Sequence, residues 1–518
     1  MSTVAILDFG SQYTRLIARR VRELGLRSVI LPHDVPADRI AGSETGAIIL
    51  SGGPDSVHRP GSLRPAEGVL DLKKPILGIC YGMQLLAQTE GGTVEPGERR
   101  EYGPAVISCV DREGLLAQME FEEPVWMSHG DHVAVLPAGW RPLARTSAGL
   151  LAAAARQDGL RAAVQFHPEV THTPRGMAML GNFLFGLAGL RADWNVRDQL
   201  PARLEEIRAQ VGKDPVLVLV SGGVDSTVVA ALLARALPPE QVVAVHVDSG
   251  LMRKDESRQV MEALATAGVR RLHLVEAQDR FLQSLSGVSD PEIKRHRIGD
   301  LFIQVQEEAV VDLGLGDQRV YLAQGTLHTD LIESGHGTAG AAVTIKTHHN
   351  VGSPLVAAKR AAGLIVEPNR DLFKDEVREL GRVLGLPEHL VDRHPFPGPG
   401  LAIRILGEVT PERLDLLREV DAVFTDQLRR EGLYDKVWQA FPVLLPIRSV
   451  GVVGDGRSYD HVVALRAVDS QDGMTAQVHP FAWDALLRIS GRIVEEVRGV
   501  GRVVYDLSPK PPATIEWE

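Results

Sequence analysis

The chain has 518 residues, and 56 Lys+Arg against 67 Asp+Glu leave a net charge of −11, which argues against nonspecific nucleic-acid binding. With 44% apolar and 24% charged residues it reads as a folded protein, with room for about three domains of roughly 150 residues each. No apolar run approaches the ~18–20 residues of a membrane span, and two cysteines, Cys80 and Cys109, support neither a disulfide framework nor a zinc-thiolate cluster, so a cytoplasmic location is expected.

The first ten residues lack the basic region of a leader and read as a first strand. Over residues 1–190, Val/Ile/Leu-rich runs alternate with helix-like stretches, and the predicted strands are Val4–Phe9, Ser28–Leu31, Ala47–Leu50, Pro75–Ile79 and Ala162–Phe166. Residues 191–213, with the charged helical stretch Arg203–Arg208, are read as a linker. A second α/β series over 214–394 has predicted strands Val216–Val220, Val242–Val247, Arg271–Val275, Val320–Ala323 and Leu364–Val366. The Pro/Gly-rich run Arg393–Gly400 is neither helix nor strand and marks the next boundary. Over 395–518, strand-like Leu401–Leu406, Val450–Val453, His461–Val468 and Arg502–Asp506 mix with helices near 410–430 and 482–498. The predicted fold is therefore α/β: two doubly wound parallel-sheet domains followed by a smaller α+β domain.

Three segments of the first domain carry chemistry. In Gly78-Ile-Cys80-Tyr-Gly82, glycines flank a cysteine between a buried strand and a helix-like run. Such a turn holds a nucleophile exposed, and the helix N-terminus favours thiolate. A lone cysteine more often packs as a small apolar side chain. Gln165-Phe-His167-Pro-Glu169 changes that reading, because residues two apart on an extended strand share a face. Cys80 would attack, His167 would take and return the proton, and Glu169 would fix the imidazole tautomer. At Leu50-Ser-Gly-Gly-Pro54, adjacent glycines admit an incoming carbonyl, so the Gly53 and Tyr81 amides are the candidate oxyanion hole.

Together these segments resemble the class I glutamine amidotransferases over residues 1 to about 190. The resemblance implies hydrolysis of L-glutamine to glutamate and ammonia through a thioester on Cys80, with Gln84, Ser128, His129 and Gly130 at the glutamine.

In the second domain, Ser221-Gly222-Gly223-Val224-Asp225-Ser226-Thr227 lies between a strand and a helix. Consecutive N–H groups in a Ser/Gly turn make an anion nest, two hydroxyls can donate to phosphate, and Asp225 is a hard ligand for Mg2+. No Gly-Lys-Ser/Thr follows, which excludes the γ-phosphate P-loop. The string resembles the N-type ATP pyrophosphatases, which transfer AMP from ATP and release pyrophosphate. That resemblance implies nucleotide contacts at Asp248 and around Gln324-Gly325-Thr326. Asp330 and Glu333 are further carboxylates for magnesium or substrate, with exposed helix charges as the alternative. The Gly/Ala-rich stretch 335–355 reads as a lid, with a surface loop as the alternative, and Lys346 would meet phosphate charge.

In the third domain Arg404 follows the rigid Pro/Gly run and suits bidentate phosphate recognition. The closing residues contain Lys510, Pro511, Pro512, Ile515 and Trp517, an odd composition for a solvated end. These stretches resemble the C-terminal domain of the GMP synthetase family. The resemblance implies xanthosine monophosphate as acceptor, contacts at Gln439, Arg502, Lys510, Ile515 and Glu516 with Arg404, and a homodimer. Because the nucleophile must be NH3, which bulk water protonates, ammonia is expected to be kept from solvent and glutamine cleavage to depend on occupancy of the synthetase site. Two alternatives stand beside this resemblance: an ATP-pyrophosphatase amidotransferase with a different acceptor, and a non-catalytic regulatory or RNA-binding relative.

Overall fold

A computed structural model describes residues 2–315, 319–327, 354–453, 456–470, 473 and 475–518. The described chain divides into two compact units, one up to Asp198 and one from Gln199 onward.

The first unit is built on a nine-stranded sheet. Its strands are β1 (Thr3–Asp8), β2 (Arg27–Pro32), β3 (Thr45–Leu50), β4 (Ile76–Ile79), β5 (Thr93–Cys109), β6 (Glu122–Val135), β7 (Trp140–Thr146), β8 (Leu151–Arg156) and β9 (Arg161–Val164). Their order is β2-β1-β3-β4-β9-β8-β7-β5-β6. From β2 to β9 neighbours run parallel, and beyond β9 they run antiparallel. The parallel part follows from uninterrupted apolar runs such as Val4–Leu7, buried on both faces. The helix Thr14–Glu23 covers one of them with Ile17, Ala18 and Val21. The antiparallel part extends the predicted parallel sheet. Leu151–Arg156 is alanine-rich, which favours helix locally, but pairing with β7 and β9 overrides that preference.

In the second unit five parallel strands follow the order β12-β11-β10-β13-β14. They are β10 (Val216–Val220), β11 (Val242–Asp248), β12 (Arg271–Glu276), β13 (Tyr321–Ala323) and β14 (Ile365–Val366), all close to the predicted positions. A smaller sheet contains β15 (Gln439–Val453), β16 (Gly456–Asp469), β17 (Gln477–Val478) and β18 (Val500–Tyr505), backed by the helices Pro411–Arg430 and Trp483–Glu496. The two sheets share one apolar core. Val247, Leu251 and Phe281 from the first pack in the same cluster as Leu401, Leu414, Phe424 and Ile489.

The helical stretch expected within residues 191–213 runs over Val196–Val211, with Ile207 and Val211 buried. One local expectation is corrected. The predicted strand Leu401–Leu406 is instead a 3-10 turn, Gly400–Arg404. Gly400 sits at φ +64, and a Cβ there would lie 2.3 Å from the Leu251 carbonyl oxygen, so only glycine lets the chain turn against that loop. Leu401 N–H then donates to Leu251 O, which removes it from strand pairing.

Candidate functional site

Three strand ends of the first unit come together by register. Leu50 of β3 is level with Gly78 of β4, and Ile79 of β4 with Val164 of β9. The residues that follow, Ser51–Gly53, Cys80 and Gln165–Glu169, therefore emerge at one carboxyl edge, where open α/β sheets bind ligands. Cys80 N–H donates to Val164 O at 2.8 Å, and the residue adopts φ 53, ψ −104 ahead of the helix Tyr81–Thr89. That conformation costs a non-glycine residue about 1–3 kcal/mol. It is held by close backbone packing: a Cβ on Gly78 would meet Gly82 O at 2.6 Å, and one on Gly82 would meet Leu50 O at 2.5 Å.

A Cβ built on Gly52 would lie 3.2 Å from the His167 ring and 3.6 Å from Cys80 Cβ, so the two side chains are neighbours, and His167 Nδ1 is 2.7 Å from Glu169 Oε1. All three side chains are buried. Burial alone would push the His167 pKa down, but the Glu169 carboxylate and the sulfur outweigh it and hold the ring well above its usual value. Supports come from segments that the motifs did not reveal. Arg20 Nε donates to Glu169 O at 2.9 Å, Thr173 Oγ1 donates to His167 O at 2.7 Å, and the Tyr13 ring stands edge-on to the imidazole. None has a local sequence signal, because each reaches the site only through the fold.

Among the described residues neither the Gly53 nor the Tyr81 backbone N–H has a hydrogen-bond partner. A Cβ built on Gly53 would lie 3.3 Å from the Tyr81 ring, so the two segments are neighbours. Ser128 lies on β6 with its carbonyl oxygen 3.6 Å from the Cys80 sulfur. His129 turns instead to Glu101, at 3.1 Å, and to Asp131 O; burial lowers its pKa against the pull of Glu101. Gly130 follows on the same strand. Gln84 spends its amide nitrogen on Asp131 O at 2.8 Å, tying the nucleophile helix to β6.

In the second unit the Ser221–Thr227 loop joins β10 to the helix Val224–Ala236, beside the point where strand order reverses. Gly222 adopts φ +83. Ser221 Oγ accepts from Gly223 N–H and lies 3.2 Å from Ser226 Oγ. Thr227 is buried and donates to Gly223 O at 2.9 Å, and Val224 is also buried, so these two brace the turn rather than face outward. Asp225 Oδ2 is 3.5 Å from Lys374 Nζ. Asp225 Oδ1 is buried with no hydrogen-bond partner among the described residues. Gly325 packs on this turn, where a Cβ would lie 3.1 Å from Ser226 N. Asp248, after β11, accepts from Gly250 N–H. Asp330, Glu333 and Lys346, with the proposed lid up to residue 353, lie outside the described residues.

The expected third site rearranges. Arg404 is fully buried, and its fork grips Glu516 at 3.1 and 2.8 Å. The carboxylate takes Nε and Nη2, while the buried Nη1 has no hydrogen-bond partner among the described residues. Gln439 Nε2 joins the same Glu516 oxygen at 2.8 Å. Ile515 packs with Phe441, Val443 and Ala464, so its side chain anchors the segment. Lys510 Nζ donates to Gly473 O at 2.7 Å. Arg502 is exposed on β18, and no hydrogen bond or ion pair joins it to the others among the described residues.

A polar cleft of about 700 Å³, lined in part by Arg253, Glu256, Arg393, Asp421 and Tyr434, escaped the motif reading. Arg253 lies 3.3 Å from Asp421, while its buried Nε and Nη2 make no hydrogen bond among the described residues. Arg393 ties the cleft to the phosphate loop by donating to Gly222 O and pairing with Glu256. Isolated arginines in a chain with 56 basic residues carry no signal until the fold groups them.

Comparison with known proteins covers both units. Residues 5–187 match the glutamine amidotransferase class-I family, residues 204–290 the asparagine synthase family and residues 426–517 the GMP synthase C-terminal domain. The chain is 49% identical to the glutamine-hydrolyzing GMP synthase of Chlorobium luteolum, across 100% of both chains. It is 51% identical to that of Rhodopseudomonas palustris, covering 99% of this chain and 95% of the relative. With the enzyme of Carboxydothermus hydrogenoformans it shares 48% identity, again across 100% of both. Identity at this level along the whole length, over a buried Cys80–His167–Glu169 set and a Ser221–Thr227 anion nest, leaves one assignment: the chain belongs to the glutamine-hydrolysing GMP synthase family.

Proposed function

We propose that this chain aminates xanthosine monophosphate to GMP, using ATP and ammonia cut from L-glutamine. The observation that carries the reading is the pairing, in one chain, of a cysteine–histidine–glutamate set with an anion nest in which Asp225 Oδ1 has no hydrogen-bond partner among the described residues. In the first unit, Glu169 accepts the Nδ1 hydrogen bond and orients the ring, leaving Nε2 for the Cys80 proton. Cys80 attacks the glutamine amide carbon, and the open Gly53 and Tyr81 N–H groups receive the oxyanion. His167 returns the proton to the departing ammonia, and water then releases glutamate from the thioester.

In the second unit, the Ser221–Thr227 turn receives pyrophosphate as O2 of the acceptor displaces it from the α-phosphorus of ATP. Ammonia replaces the resulting adenylyl oxygen at purine C2 and expels AMP. Asp225 Oδ1, a buried hard oxygen without a partner, fits a magnesium ligand, and Asp225 would hold the ion against the phosphates. When bound, that ion supplies charge neutralisation of the triphosphate. Arg253, half-buried beside Asp421 with Nη2 making no hydrogen bond among the described residues, offers a cation to the acceptor's phosphate from the neighbouring cleft, and Gln439, Lys510 and Glu516 frame the tail side. The same reading gives a cytoplasmic homodimer, with an amidotransferase domain over 1–190, a synthetase domain over 214–394 and an acceptor and dimerisation domain over 395–518. Among the described residues no helix is long and apolar enough to cross a membrane.

Cys80→Ala, assayed with glutamine and separately with ammonium, tests the scheme. Glutamine-driven GMP formation disappears while ammonium-driven formation continues. Orthophosphate and ADP as products, in place of pyrophosphate and AMP, would overturn it.

A further inference from the structure

One fully buried arginine belongs to no motif and to no step above. Arg466, on β16 opposite Phe441, is 0% exposed. Its Nη1 donates to Ser508 O at 2.6 Å, Nη2 to Thr514 O at 2.9 Å and Nε to Ile515 O at 3.2 Å. Asp506 Oδ2 lies 3.0 Å from the same guanidinium. One side chain thus binds carbonyls at both ends of the 508–515 segment, and between those ends lies Lys510, with Glu516 immediately beyond. The segment has little regular support of its own. Among the described residues its one backbone pairing with a neighbouring element is the bridge between Lys510 and Ala476.

Burying a guanidinium is costly, and an apolar residue facing Phe441 and Ala464 would pack the same space at lower cost. The planar fork does what no apolar residue can: it fixes several carbonyls of one loop in a set geometry. Ordering a loop before its ligand arrives removes that cost from binding.

We propose that Arg466 is a positioning residue for the acceptor nucleotide, preorganising the 508–516 segment so that Lys510 and Glu516 are held in their binding geometry. The inference rests on the proposed role of Lys510 and Glu516 at xanthosine monophosphate. It predicts a defect confined to the acceptor: weaker binding of that nucleotide, with ATP recognition and basal glutamine hydrolysis retained.

The test uses the full-length chain with Arg466→Met, Arg466→Lys and Lys510→Ala, measuring the Kd for xanthosine monophosphate by titration calorimetry and the KM for each substrate with ammonium. Arg466→Met raises that Kd about tenfold or more, since several charge-assisted hydrogen bonds are lost, while the KM for ATP stays at the parent value. Arg466→Lys, which keeps the charge but not the fork, falls between the two. If Arg466→Met leaves acceptor affinity unchanged while Lys510→Ala weakens it, the positioning role is wrong. If Lys510→Ala also leaves affinity unchanged, the acceptor-segment reading fails instead. An equal loss for ATP and acceptor assigns Arg466 to general stability and overturns the proposal. Should Arg466→Met not fold, Arg466→Lys decides: parental acceptor affinity in that variant overturns it.

Discussion

His167 Nδ1 and Glu169 Oε1 lie 2.7 Å apart, both side chains buried at the carboxyl end of one strand. The strand ends at Val164, so His167 and Glu169 meet across a turn and not along the extended strand the spacing predicted; Thr173 and Arg20 fasten the two carbonyls, and the pair is held by backbone as well as by side chain. Replacing the carboxylate with an amide keeps the shape and removes the charge. Glu169→Gln should lower glutamine-driven turnover by about 10²–10⁴-fold and leave ammonium-driven GMP formation at the parent rate. The His167 pKa is held above 6.5, so its pairing stabilises the fold fully below that pH and fades as pH rises through the folded value. Denaturant titrations of Glu169→Gln across neutral to alkaline pH should therefore lose that pH-dependent part.

Asp225 Oδ1 is buried without a hydrogen-bond partner among the described residues, an arrangement that costs folding energy and suits a ligand. Asp225→Asn should cut pyrophosphate release, assayed with ammonium, by about 10²–10³-fold. Its thermal unfolding midpoint should stay close to the parent value, because the half-exposed Lys374 contact with Oδ2 contributes little and Oδ1 has no hydrogen bond to lose among the described residues. A large fall in the midpoint would make Asp225 a structural residue.

His394 is buried against Tyr434, accepting from Ala440 N–H and bonded through Nε2 to Tyr434 O. Burial first, with the Arg253 and Arg378 charges adding to it, pushes its pKa down to about 4. A lowered pKa means that the unfolded chain takes up the proton first. Its neutral form stabilises the fold fully above pH 6.5, and that contribution of about 3 kcal/mol is lost as pH falls toward the folded value. His394→Gln should be less stable at neutral pH yet show a flatter stability profile between pH 6.5 and 4, measured by urea unfolding. An unchanged slope would exclude His394 as the titrating group.

The amino-acid string alone carried the chemistry that depends on neighbours in sequence. Gly78-Ile-Cys80-Tyr-Gly82 and Ser221–Thr227 each complete a strand, a turn and a helix start within about ten residues, where backbone sterics and helix polarity already decide what a side chain can do. In the parallel sheet of the second unit, β10 and β11 were equally legible, because strands buried on both faces must be continuous apolar runs.

Long-range pairing decided the rest. Leu151–Arg156 became a strand only because β7 and β9 flank it. Arg404 turned from a candidate phosphate ligand into the partner of Glu516, 112 positions away. Arg253, Arg393 and Asp421 became a cleft, and Arg466 the hub of a distant loop, through contacts that span up to 49 positions for Arg466. A guanidinium reads the same in every arginine of a sequence; which acceptor it meets, and whether water is excluded there, is set by the folded chain.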